Sequence, residues 1–65
     1  MTQGERVKKV RKTRQLTLEK FGEKIGLKKN TMSAIETGRN SLTEANIKSI
    51  CREFEVNEIW LRTGE

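Results

Sequence analysis

The residues best suited to molecular recognition form a short run in the middle of the chain: Lys28, Lys29, Asn30, Thr31, Ser33 and Ala34. Lysine offers only hydrogen-bond donors, asparagine offers donors and an acceptor, and small side chains let another molecule approach closely. Such a run can bind phosphate oxygens or base edges. Catalysis has less support, because the chain has no histidine and its one cysteine, Cys51, has no base to activate it.

Helices are the elements that must position this run. Apolar residues such as Val7 and Val10 stand three or four apart, and no segment alternates apolar and polar residues over four positions or more. This pattern predicts an all-α fold. The predicted helices run from Gln3 to Thr13, Leu18 to Ile25, Lys29 to Thr37, Glu44 to Phe54 and Glu58 to Thr63. We expect one compact five-helix domain over residues 1–65.

Capping residues set the predicted helix boundaries. An apolar residue stands directly before each of Thr17, Thr43 and Asn57, and another stands four residues after it. This is the spacing of a hydrophobic staple around an N-cap. Thr2 and Glu5 have the spacing of a capping box. Gly26, Gly38 and Gly64 stand where the second, third and fifth helices should stop, since glycine readily adopts the left-handed conformation of a helix end.

Composition limits the function further. The formal net charge is +5, and residues 1–40 carry eleven basic against four acidic side chains. A basic half predicts a face for a polyanion, although a merely solvated basic surface is the simpler alternative. With one cysteine and no histidine, we expect no disulfide, no metal and no cofactor. No apolar run has the length of a membrane span or signal peptide, so we expect a cytoplasmic protein.

A short turn joins the second and third predicted helices, in the sequence T-L-E-K-F-G-E-K-I-G-L-K-K-N-T-M-S-A-I-E-T-G from Thr17 to Gly38. This segment resembles the helix-turn-helix of the lambda-repressor and Cro-like (XRE-type) regulators of bacteria and phages. The family's small residue at the helix contact falls on Gly22 and its turn glycine on Gly26. Its apolar positions fall on Phe21, Ile25, Leu27, Met32 and Ile35. The likeness extends over nearly the whole chain.

The third helix is the recognition helix that this resemblance implies. On a helical wheel its polar and small side chains lie opposite Met32 and Ile35, so a thin face could enter a major groove. Lys28 and Lys29 stand at the positive end of the helix dipole, where cations cost roughly 0.3 to 1 kcal/mol. The stability of the helix does not favour lysines at these positions, whereas contacts with DNA phosphates or guanine edges would favour them. We expect base contacts from Lys28, Lys29, Asn30, Ser33 and Ala34.

Phosphate contacts are expected around the motif, where family members hold the DNA backbone. The expected residues are Thr17, Thr31, Thr37, Gly38, Arg39 and Asn40, with backbone amides contributing near Thr37 and Gly38. Arg6, Lys9 and Arg14 are weaker candidates. The family typically has a phosphate-binding glutamine at the first residue of the second helix, and this chain departs from that pattern with Leu18.

The resemblance also suggests an ion pair between Arg11 and Glu36, and a two-fold interface supplied by Ile59 or Trp60. Packing of Trp60 on the fourth helix is the alternative. The expected function is that of a DNA-binding transcriptional regulator, such as a phage-type repressor, with a pseudo-palindromic double-stranded operator and a homodimer as partners. A helical module that binds a protein, as an antitoxin or inhibitor does, stays open. RNA binding is a third possibility, but the chain lacks the aromatic stacking platform that single-strand readers use.

Overall fold

The computed structural model describes all residues, 1–65, and contains five α-helices and no strand. The helices are α1 (Gln3–Thr13), α2 (Leu18–Ile25), α3 (Lys29–Glu36), α4 (Glu44–Phe54) and α5 (Glu58–Thr63). The all-α prediction is confirmed, and four helices have the predicted bounds. Helix α3 ends one residue earlier than predicted, because Thr37 is its C-cap. No helix is long and apolar enough to cross a membrane.

Side-chain caps begin four of the five helices. The side chains of Thr2, Thr17, Thr43 and Asn57 each accept a hydrogen bond from the amide three residues later. The carboxylate of Glu5 in turn accepts a hydrogen bond from the amide of Thr2 at 2.7 Å, which completes the predicted capping box. Each cap of this kind contributes about 1 kcal/mol. Helix α3 is the exception, because Lys28 occupies its N-cap position and makes no side-chain cap.

The core lies between the five helices and receives side chains from all of them. Phe21 of α2 and Phe54 of α4 stack with ring centroids 4.4 Å apart and planes 3° from parallel. The other buried apolar residues are Val7, Val10, Met32, Ile35, Leu42, Ile47, Ile50 and Leu61. Cys51 is half-buried beside this core, and burial raises the pKa of its thiol, so Cys51 serves as a small packing residue.

Arg6 ties α1 to α5 and is not the surface residue that we expected. It is only 6% exposed, and its guanidinium donates to the carbonyl oxygens of Met1, Leu61 and Arg62 at 2.8, 3.1 and 3.2 Å. Leu61 and Arg62 belong to the last turn of α5, whose carbonyls have no partner within the helix. Its donors are used inside the protein, so a role within the fold accounts for this weaker phosphate candidate.

Arg14 is also used within the fold. Its guanidinium donates to the carbonyl oxygen of Phe54 and lies over the Phe54 ring, 5.9 Å from the centroid. This contact joins the end of α1 to the end of α4. The phosphate contact considered for Arg14 therefore competes with an internal hydrogen bond and a cation–π contact.

Charged side chains connect α4 to α5 in the C-terminal part of the chain. Arg62 bonds the carboxylates of both Glu44 and Glu58, and Lys48 lies 3.5 Å from Glu58. The hydrogen bonds to Arg62 lower the pKa of both glutamates and raise that of Arg62. Because Glu44 is exposed and Glu58 is only partly buried, we expect the network to contribute little stability.

Candidate nucleic-acid interface

The turn between α2 and α3 is built on two glycines. Gly26 is in the left-handed conformation with φ of 78°, and the amides of Gly26 and Leu27 both donate to the carbonyl of Gly22. A Cβ on Gly22 would lie 2.4 Å from the Leu27 carbonyl oxygen and 3.1 Å from Met32 Cγ. Only glycine therefore lets α2 and α3 approach this closely. Two helices in close contact, joined by a short turn, are the arrangement of a helix-turn-helix.

Helix α3 buries one side and exposes part of the other. Met32 is fully buried and Ile35 is 2% exposed, so these two residues fix the helix to the core. Lys29, Asn30 and Thr37 are exposed, whereas Ser33 and Ala34 are half-buried. The proposed reading face is therefore most accessible at its N-terminal end. That end enters the major groove first in helix-turn-helix complexes.

The N-terminus of α3 is uncompensated. Lys28 has extended backbone angles (φ −82°, ψ 158°) and no side-chain cap, and the first turn of α3 contains no acidic residue. Every other helix has a capping side chain and a glutamate in its first turn. Free amides, a helix dipole and two exposed lysines thus give one concentrated positive site. An anion is the complement that this end of α3 lacks.

The loop after α3 differs from our expectation in one respect. The amide of Thr37 donates to Ser33, that of Gly38 to Ile35, and those of Arg39 and Asn40 both donate to Ala34, at 2.9 to 3.2 Å. The hydroxyl of Thr37 also donates, to the carbonyl of Ser33. The amides near Thr37 and Gly38, from which we expected phosphate contacts, thus have acceptors within the chain. The side chains of Arg39 and Asn40 are exposed.

The start of α2 has a polar residue and an apolar one side by side. The hydroxyl oxygen of Thr17 accepts from the amide of Lys20 at 3.1 Å, which leaves its proton free for an external acceptor. Leu18 is half-buried and packs against the core. The place where the family has a glutamine thus serves packing here.

Arg11 and Glu36 meet at the end of α3. Arg11 Nε and Nη2 donate to the two carboxylate oxygens of Glu36 at 2.7 and 3.1 Å, and Arg11 Nη1 donates to the Leu16 carbonyl at 3.0 Å. The side chains are 12% and 6% exposed. Hydrogen bonding to Glu36 raises the pKa of Arg11 despite its burial. This bidentate pair joins α1 directly to the last residue of α3.

The sequence of the chain matches a known family over nearly its whole length. A family model described as a helix-turn-helix domain matches residues 4–65. The chain belongs to the helix-turn-helix family. The resemblance to the XRE-type regulators is confirmed, and with it the general function of this helix-turn-helix domain, which is DNA binding in the regulation of transcription.

One relative of this helix-turn-helix domain is Antitoxin PezA of Streptococcus pneumoniae serotype 4. The two are 34% identical over 56 residues, which is 86% of this chain and 35% of that protein. The chain therefore spans about a third of the length of this relative. No solved structure matches the chain.

The short helix α5 places its apolar residues in three different environments. Leu61 is buried in the core, Trp60 is half-buried, and Ile59 is 62% exposed. Trp60 lies beside Val10, Phe54 and Val56, in a shallow groove where α1, α4 and α5 meet. Trp60 thus covers the core, as the alternative interpretation has it, while Ile59 is the one large apolar side chain of a helix that faces solvent.

Two residues of this helix-turn-helix domain were missed by sequence reasoning. Gly4 contacts the end of α3, and Arg6 bonds the end of α5. The signal for Gly4 is a poor helix former inside a helix. The signal for Arg6 is a charged residue that shares the apolar side of α1 with Val10.

Proposed function

We propose that this helix-turn-helix domain is a sequence-specific reader of double-stranded DNA that inserts α3 into the major groove. The observation that carries the proposal is the N-terminus of α3, which combines no cap, no acidic residue and two exposed lysines. A helix end of this kind is costly for folding and favourable for binding an anion. The domain acts by binding, and its regulatory effect comes from occupying an operator, as a phage-type repressor does.

Individual roles follow from side-chain chemistry. We assign Lys29 to a guanine edge and Asn30 to an adenine edge, the pairings that their donors and acceptors favour. Lys28 reaches a guanine edge or the adjoining phosphate, and Ser33 and Ala34 approach bases as far as their half-burial allows. The proposed phosphate contacts are those of Thr17, Thr31, Arg39 and Asn40. Phosphate contacts position the domain and base contacts give it sequence preference.

A second copy of the chain is the proposed partner at α5. Ile59 is exposed next to a half-buried Trp60, so an apolar contact is available there. A two-fold dimer would place two recognition helices about 34 Å apart, one turn of DNA. The operator would then be an imperfect palindrome.

A second candidate function is suggested by the relative that is an antitoxin. In that case this helix-turn-helix domain would bind a protein. Alternatively, it would regulate transcription as one part of a longer protein that itself binds a protein partner. The two functions differ in their dependence on salt, because DNA binding releases counterions from phosphates and a protein interface does not.

Selection of duplexes from a random DNA pool at two salt concentrations tests the proposal. We expect enrichment of one imperfect palindrome and, for about five phosphates per copy, a log–log salt slope near −4 to −5 per copy. The same selection with Lys29→Ala is expected to lose the preference at one base pair in each half-site. Failure to enrich any duplex at low salt would contradict the proposal, and an enriched single half-site would contradict the dimer.

Replacement of Lys28 by serine separates folding from binding. We expect Lys28→Ser to raise the free energy of unfolding by about 1 kcal/mol, because serine supplies the cap that α3 lacks. The same change should weaken binding to the selected duplex, since one cation is lost from the reading end. Urea unfolding and a DNA titration measure the two effects. Thr43→Ser is the control, since it exchanges one N-cap for another on α4. Unchanged affinity of Lys28→Ser would remove Lys28 from the site.

A further inference from the structure

Gly4 lies where the first turn of α1 meets the last turn of α3. The glycine is buried, and a Cβ on it would lie 2.4 Å from the carbonyl oxygen of Ile35 and 2.9 Å from that of Glu36. Both atoms are backbone and cannot swing aside as a flexible side chain would. Any larger residue at this position must therefore move α1 and the end of α3 apart.

Arg11 makes a second contact with the same end of α3. Residues 4 and 11 are seven apart, so they lie on one stripe of α1, two helical turns from each other. Gly4 meets the backbone of Glu36, and Arg11 binds its carboxylate through two hydrogen bonds. The last residue of α3 is thus held by α1 at its main chain and at the end of its side chain.

We propose that Gly4 is a positioning residue for sequence reading: its contact with the last turn of α3 sets how far the recognition helix lies from α1, while the Arg11–Glu36 pair sets its rotation. This inference rests on the function proposed above. Glycine has no side chain that could bind DNA, so Gly4 acts through the placement of α3. Glycine is otherwise a poor helix former, and this contact explains its presence inside α1.

Base contacts are more sensitive to such placement than phosphate contacts. A hydrogen bond to a base edge needs a heavy-atom distance near 2.7 to 3.2 Å and a good angle, so a shift of about 1 Å breaks it. Long, flexible lysine and arginine side chains can follow a phosphate over a similar shift, and much of that attraction is unspecific. Displacement of α3 should therefore reduce preference for the selected sequence more than overall affinity for DNA.

The test is the ratio of affinities for two duplexes, the one selected by the wild-type chain and a scrambled duplex of equal length and composition. We expect Gly4→Ala to reduce this ratio by about tenfold, the value of one base contact, with affinity for the scrambled duplex unchanged within about twofold. The measurement is made at a temperature where circular dichroism shows both proteins to be fully folded.

Ile50→Val is the matched control. Ile50 is buried on α4, which packs against α2 and α5, so the change loosens the core without touching the contact between α1 and α3. We expect it to lower stability and to keep the affinity ratio of the wild type. If Gly4→Ala alone does not fold, the comparison is made in a Glu55→Gly background. Glu55 is the left-handed C-cap of α4, with φ of 55°, and glycine there adds stability away from the site.

The outcomes are separable. A Gly4→Ala protein that is folded and keeps the wild-type affinity ratio would overturn the positioning role, whatever its melting temperature. An equal loss of affinity for both duplexes would do the same, since it would indicate a general loss of contact. Absence of any duplex selected by the wild-type chain would instead contradict the function on which the inference rests.

Discussion

Glu36→Ala is expected to lower the free energy of unfolding by about 2 to 4 kcal/mol, more than an exposed ion pair contributes. Glu36 and Arg11 are largely buried side by side, and the substitution leaves the guanidinium without its carboxylate. A domain this small has only several kcal/mol of stability in total, so much of it depends on this one contact. Urea unfolding followed by circular dichroism measures the loss.

The double variant Arg11→Met with Glu36→Leu is the control for this prediction. A buried ion pair is often replaceable by apolar side chains of similar volume, because its desolvation offsets its attraction. We therefore expect the double variant to recover most of the stability that Glu36→Ala loses. The explanation fails if the single variant is as stable as the wild-type chain, or if the double variant is no more stable than Glu36→Ala.

Arg6→Met is expected to lower the free energy of unfolding by about 2 to 3 kcal/mol, through loss of charge-assisted hydrogen bonds to carbonyls. Three carbonyl oxygens, two of them in the last turn of α5, lose their donor. The methionine side chain fills much of the space but donates nothing. Because Trp60 is the only tryptophan and belongs to α5, its fluorescence reports the loosening of this helix during urea unfolding.

Arg6→Lys gives the graded comparison. An ammonium cannot reproduce the planar, divergent donors of a guanidinium, so it can satisfy only some of the three carbonyls. We expect its stability to fall between that of the wild-type chain and that of Arg6→Met. Lys8→Met, on the exposed side of the same helix, should have little effect. Equal stability of Arg6→Met and the wild-type chain would show that these hydrogen bonds do not hold α5.

Local rules were enough to predict most of the fold. Thr17, Thr43 and Asn57 cap their helices as their sequence spacing indicated, because capping involves atoms only three residues apart. The difference at the end of α3 is a matter of one residue. Gly22 and Gly26 could be placed from the turn length and the resemblance, and the close approach at Gly22 supplies the physical reason.

Contacts between distant parts of the chain were less accessible to sequence reasoning. Arg6 bonds carbonyls 55 and 56 residues away, and no local pattern states that a basic side chain will find backbone partners on another helix. The bonds from the amides of Arg39 and Asn40 to Ala34 span only five and six residues, but they depend on the path of the irregular loop after α3. The Arg11–Glu36 pair was anticipated from the family resemblance, since its partners lie 25 residues apart.

The shortness of α3 has a consequence for how the protein would be controlled. With eight residues it is about 12 Å long, and a helix of that length does not persist alone in water. The reading element therefore exists only while the domain is folded. Any duplex bound by it must in turn favour the folded chain by mass action. Occupied copies should resist proteases and heat better than free ones, so the lifetime of the protein would follow the availability of its DNA sites.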